Sequence, residues 1–169
     1  MFRNLILLVA FTVILTISAQ GTTLFNFDDT EKLKQWNVRK GTELSIAPWP
    51  DDQSVKCGKI IFHKYKAGQD NYPGIVMADI HPANWQNVKK ISFDIYAEKN
   101  GSIGMQLRNQ KGEKVNYILQ LKPGKNQIRQ KINNLDKEEI TQLHLFIKAP
   151  DADLIYYISN IQLIESDEK

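Results

Sequence analysis

The stretch Lys89 to Leu121 reads KKISFDIYAEKNGSIGMQLRNQKGEKVNYILQL. Ile91, Phe93, Ile95 and Ala97 alternate in it with Ser92, Asp94, Tyr96 and Glu98. Past Lys99-Asn100-Gly101, Ile103, Met105 and Leu107 alternate with Gly104, Gln106 and Arg108. Past Gln110-Lys111-Gly112, Val115, Tyr117, Leu119 and Leu121 repeat the pattern against Asn116 and Gln120. Successive side chains of a strand point to opposite faces, so a period of two with short Gly-containing turns predicts three antiparallel strands, read here as one meander. One face is apolar and must be buried. The other carries Asp94, Tyr96, Gln106, Arg108 and Asn116, more hydrogen-bonding groups than a solvated face requires.

The rest of the chain continues in the same style. Upstream, Leu24–Asp29, Thr42–Ala47, Lys59–Tyr65 and Ile75–Ile80 read as strands, with one helical turn at Lys32–Trp36. The loops between them hold Pro48-Trp49-Pro50-Asp51-Asp52 and a run with Gly68, Asp70, Asn71 and Pro73, residues that punctuate rather than extend a ladder. Downstream, Lys122-Pro123-Gly124-Lys125 reads as a type II turn. Gln127–Ile132, Thr141–Lys148 and Leu154–Ile164 follow as strands, with a short connector at Asn134–Glu139. Nine or ten strands spaced by 8–12 residues, with no long helical period, predict an all-β, two-sheet antiparallel sandwich or jelly roll.

Met1 to Ala19 reads as a secretory signal peptide rather than as fold: Arg3 is followed by 13 largely apolar residues and then Ser18-Ala19-Gln20-Gly21. Cleavage is expected after Ala19, or as late as Gly21, and the alternative is an uncleaved anchor. The domain then covers residues 22–165, with a charged tail at 166–169. A secreted or periplasmic protein with no membrane span in its mature form is the expectation. Without Arg3 the formal charge falls from +3 to +2, and no Lys/Arg block stands out, which argues against a nucleic-acid partner. The oligomeric state is not legible. Cys57 is the sole cysteine, so no intrachain disulfide forms, and it is either a buried inert thiol or an intermolecular bridge.

Several landmarks in order resemble one superfamily: Leu24-Phe25-Asn26-Phe27-Asp28, Tyr72-Pro73-Gly74-Ile75, Trp85 through Tyr96, Leu121 through Asn126, and Ile155 through Leu163. Together they are similar to the galactose-binding-like β-jelly rolls, which include carbohydrate-binding modules of secreted glycoside hydrolases. The resemblance implies two packed antiparallel sheets with sugar bound on a concave sheet face or at the loop tips. It also implies a structural calcium held by acidic residues of the first strand and an Asp-Asn pair near the C-terminus. Asp28 and Asp29 match the first half; the second half is Ser159-Asn160, which lacks a carboxylate and so weakens the site. Otherwise Asp28 and Asp29 are a solvated strand end.

Sugar binding needs ring faces to stack on, flanked by fixed donors and acceptors. The candidates are Asp94, Tyr96, Gln106, Arg108 and Asn116, extended by His144, with Trp49 and Tyr72 as loop-borne platforms. The plainer alternative makes Arg108 and Asp94 a cross-strand ion pair on a wet face. Trp36 and Trp85 read as core anchors. No His-Glu-x-x-His or Gly-x-Ser-x-Gly element occurs, which leaves an enzyme reading only the generic pair of carboxylates of glycoside hydrolysis. The expectation is therefore a secreted, non-catalytic protein that acts alone on a polysaccharide or oligosaccharide. The rival is a structural or assembly module that holds a protein partner on the same face, as related jelly rolls do.

Overall fold

The computed structural model describes residues 21–165, so the leader and the tail at 166–169 lie outside the described residues. Twelve strands carry the fold: β1 (Thr22–Phe25), β2 (Trp36–Val38), β3 (Thr42–Trp49), β4 (Asp52–Phe62), β5 (Gly74–Met77) and β6 (Lys90–Ala97), then β7 (Gly101–Asn109), β8 (Lys114–Leu121), β9 (Gly124–Lys131), β10 (Ile140–Phe146), β11 (Leu154–Ile158) and β12 (Ile161–Ile164). One 3-10 turn, Glu31–Gln35, stands where a helical turn is expected. Two sheets form. The seven-stranded sheet runs β1-β12-β6-β11-β4-β3 with β9 on the far edge of β6, and the five-stranded sheet runs β2-β5-β10-β7-β8. All pairings are antiparallel.

The apolar positions of the alternating strands meet between the sheets. Ile91, Phe93, Ile95 and Ala97 of β6 face Ile103, Met105 and Leu107 of β7, all essentially buried, with Leu119 and Leu121 of β8 beside them. Trp85 is fully buried and donates its indole N–H to the Pro82 carbonyl at 2.7 Å, and Phe25, Phe27 and Trp36 pack edge and face at one end. Both tryptophans are core anchors, as expected. Gly124 adopts φ +88°, which the third position of a type II turn requires and glycine supplies without strain.

One expectation is corrected. β6, β7 and β8 are not a single meander. Both edges of β6 are taken inside the seven-stranded sheet, by β9 on one side and by β11 and β12 on the other. β7 pairs instead with β8 and β10 in the opposite sheet. The link Glu98-Lys99-Asn100 therefore crosses from one layer to the other. At the crossing Gly101 faces the Tyr156 hydroxyl, which sits 2.4 Å from where a Cβ would lie. Alternation says which face of a strand is buried and is silent about which sheet it joins. The last predicted strand is likewise two, β11 and β12, divided at Ser159-Asn160.

Candidate functional site

The outward residues of the five-stranded sheet line up in register. Asn37, Val76, His144, Gln106 and Asn116 form one row across β2, β5, β10, β7 and β8. At roughly 4.8 Å per strand that row is about 19 Å long. The next row is Gly74, Phe146, Gly104 and Ile118. Gly104 leaves the Phe146 ring room to lie over the sheet, since an added Cβ there would meet that ring at 2.4 Å, whereas one on Gly74 would meet the Leu145 carbonyl oxygen at 2.2 Å and His144 Nε2 at 2.6 Å. A groove of about 290 Å³ results, lined by Arg39, Tyr72, Gln106, Lys114, Asn116, His144 and Phe146.

Tyr72 reaches the groove from the loop before β5. That loop is pinned at several points: Asp70 accepts the Tyr72 backbone N–H at 2.9 Å and the Arg39 guanidinium at 3.0 Å, while Asn71 and Pro73 carbonyls accept N–H groups of Ala149 and Ile147. The Tyr72 ring stands edge-on to Phe146, centroids 5.5 Å apart, and stays 42% exposed. On the floor the Gln106 carboxamide donates to Asn116 Oδ1 at 2.7 Å, which orients both amides.

His144 is the unusual floor residue. It is 3% exposed, and its Nε2 has no hydrogen-bond partner among the described residues. Burial, helped by the Arg39 charge and opposed by Asp70, pushes its pKa down to about 4. The ring is thus neutral near pH 7, with one nitrogen able to donate and the other to accept.

No family model and no curated protein sequence matches this chain. Solved structures do. A family 11 carbohydrate-binding module from Clostridium thermocellum, in complex with a β-1,3-1,4-mixed-linked tetrasaccharide, superposes with TM-score 0.65 at 19% identity, over 90% of this chain and 100% of that one. The chain has a two-sheet jelly-roll fold similar to that of this carbohydrate-binding module. A family 29 carbohydrate-binding module complexed with mannohexaose matches this jelly roll at TM-score 0.55 and 10% identity, covering 87% and 93% of the two chains. An exo-β-agarase matches at TM-score 0.72 and 14% identity over 87% of this chain, and the jelly roll spans about a quarter of that enzyme, 25% of its length.

Of the sequence-predicted residues, Gln106, Asn116, His144 and Tyr72 converge in one groove of the jelly roll. Arg108 lies on the same face one row further on, exposed between Gln142 and Lys114 and outside the groove lining. Asp94 and Tyr96 do not join them. They point outward from β6 on the opposite sheet, where Asp94 pairs with Lys125 at 2.8 Å, so the ion pair considered with Arg108 does not form. Trp49 is no exposed platform either: it is 6% exposed, folded down edge-on to Tyr96, with Lys125 6.0 Å from its ring centre. Arg39 and Lys114 line the groove and escaped the sequence reading, while Phe146, which alternation puts on the same side of its strand as His144, lines it without having been an expected site residue. Only the fold gathers them, because Arg39 lies from 33 residues (Tyr72) to 107 residues (Phe146) away from its groove neighbours in sequence.

The donors expected for calcium are near one another but otherwise engaged. Asp28 takes the Lys32 ammonium at 2.9 Å, which also bonds Asn26 Oδ1 at 2.7 Å and holds the Asp28 carboxyl below its usual range. Asp29 accepts the Glu31 N–H, and Asn160 Oδ1 faces the Phe27 N–H at 3.4 Å. This set does not fit a calcium ion, which needs six or more oxygens about it rather than an ammonium. Among the described residues no group of three or more His, Cys, Asp or Glu side chains is placed to hold a metal. Cys57 is fully buried, its thiol facing the Ala47 carbonyl at 3.2 Å and its pKa pushed up to about 11 by burial, the setting of an inert thiol. No helix among the described residues is long and apolar enough to cross a membrane.

Proposed function

We propose that this protein is an exported, non-catalytic carbohydrate-binding module that takes an oligosaccharide or polysaccharide in the groove of its five-stranded sheet. The observation that carries the reading is the meeting of the half-exposed Tyr72 ring with the Gln106–Asn116 amide pair and the buried neutral His144 in one groove. A ring face packs against sugar C–H groups, and fixed amides and an uncharged imidazole match hydroxyls that both donate and accept. The pinned Tyr72 loop means that little conformational freedom is lost on binding. The groove lining contains no carboxylate, whereas glycoside hydrolysis uses a pair of them, which favours binding over catalysis. Export rests on the apolar leader.

A glycan array identifies the ligand, and calorimetry on Tyr72→Ala and Asn116→Ala tests the site. Each variant is expected to weaken binding about tenfold, the loss of roughly 1.4 kcal/mol, while Arg108→Ala has a smaller effect. Wild-type affinity in both groove variants overturns the assignment.

A further inference from the structure

The opposite face of the sandwich carries a second groove, of about 340 Å³, on the seven-stranded sheet. Its floor comes from outward residues of three neighbouring strands: Gln162 of β12 pairs with Ser92 of β6, and Asp94 of β6 pairs with Gln127 of β9. The start of β4 brings Val55 and Lys56 to its rim. The groove exists because β11 and β12 share one edge of β6 and part company at Ser159-Asn160, where Ser159 Oγ accepts the Asp94 N–H at 2.7 Å and the Ser159 N–H donates back to the Asp94 carbonyl at 2.9 Å.

The charge of this groove is one-sided. Its one carboxylate, Asp94, is already answered by Lys125. Lys56 bonds only a backbone carbonyl, that of Asp28 at 3.2 Å, and neither it nor Lys90 has an ion pair among the described residues. Arg129 also lines the groove, with an interaction of its own. Ser92, Gln127 and Gln162 between them offer a hydroxyl and two carboxamides, groups that both donate and accept, as sugar hydroxyls do. Cations set among such groups match a chain that alternates hydroxyls with fixed negative charges.

We propose that this groove is a second saccharide site, specific for chains bearing carboxylate or sulfate groups and independent of the groove on the five-stranded sheet. A protein with both grooves can engage two glycan segments at once, one on each side of the sandwich.

Calorimetry with two anionic probes, oligogalacturonate (carboxylate) and dextran sulfate fragments (sulfate), against unsulfated dextran tests it. Wild type is expected to bind at least one anionic probe. Lys56→Glu/Lys90→Glu should weaken that binding about tenfold or more, and Tyr72→Ala should leave it unchanged. The control pair Lys64→Glu/Lys99→Glu, exposed lysines beyond the far ends of β4 and β6, changes the net charge equally and should retain binding. Should the reversed pair melt early, Lys56→Gln and Gln162→Ala carry the same test with milder changes. No binding of either anionic probe overturns the proposal. So does a loss caused by Tyr72→Ala, or an equal loss in the control pair. Failure here leaves the first groove standing, because that groove is judged by Tyr72→Ala and Asn116→Ala against the array ligand.

Discussion

The Phe146 ring occupies the space above Gly104 that any Cβ would need, 2.4 Å from that position on the neighbouring strand. The contact is made on the outside of the sheet and shapes the groove floor. Glycine inside a strand gives up packing, and here its absence of a side chain lets an aromatic ring, and through it Tyr72, settle against the sheet.

Gly104→Ala is therefore expected to displace Phe146 and Tyr72 with it. Since the ring is only 8% exposed and packs against His144 and Tyr72, its displacement should also lower the melting temperature. Binding of the array ligand should fall about as far as in Tyr72→Ala, near tenfold. Unaltered affinity would show that Phe146 does not shape the site.

His144 makes stability depend on pH with a sign that follows from its depressed pKa. In the unfolded chain the imidazole takes its proton near 6.5, while in the fold it resists until about 4. Between those values the unfolded state binds more protons, so the contribution of this residue is complete above about 6.5 and is lost as pH falls toward 4. The full span is on the order of 3 kcal/mol. Chemical denaturation of wild type and His144→Gln at several pH values isolates it, and the variant should show the shallower acid loss. Parallel profiles would contradict the burial of this ring.

Lys32 occupies one of the carboxylates expected to hold a structural cation, Asp28, and bonds Asn26 Oδ1 as well. A ligand that binds only the native state raises its melting temperature, and its removal lowers it. Adding EDTA or calcium is accordingly expected to leave the melt of the wild-type protein unchanged. A clear fall with EDTA would mean that an ion displaces the Lys32 ammonium.

Local patterning was enough for the all-β class and for the buried face of most strands, because alternation is a property of neighbours in the chain. It missed β2, placed a loop at Pro48-Trp49 and Asp52 where β3 ends and β4 begins, and read β11 and β12 as one strand. Ile91, Phe93, Ile95, Ile103, Met105 and Leu107 are all buried as their spacing demands. Tyr72, Gln106, Asn116 and His144 were legible as polar or aromatic groups aimed away from the core. What local patterning could not decide is which strands lie side by side. β6 and β7 are separated by three residues and read as a hairpin, yet they belong to different sheets, and this puts Asp94 and Tyr96 on the far side of the molecule from Gln106. Hydrogen-bonding edges are alike in every strand, so partner choice is settled by how both layers close over one core. That closure places Arg39 and Lys114 in the groove, buries Trp49 and His144, and makes two polar faces where the sequence suggests one.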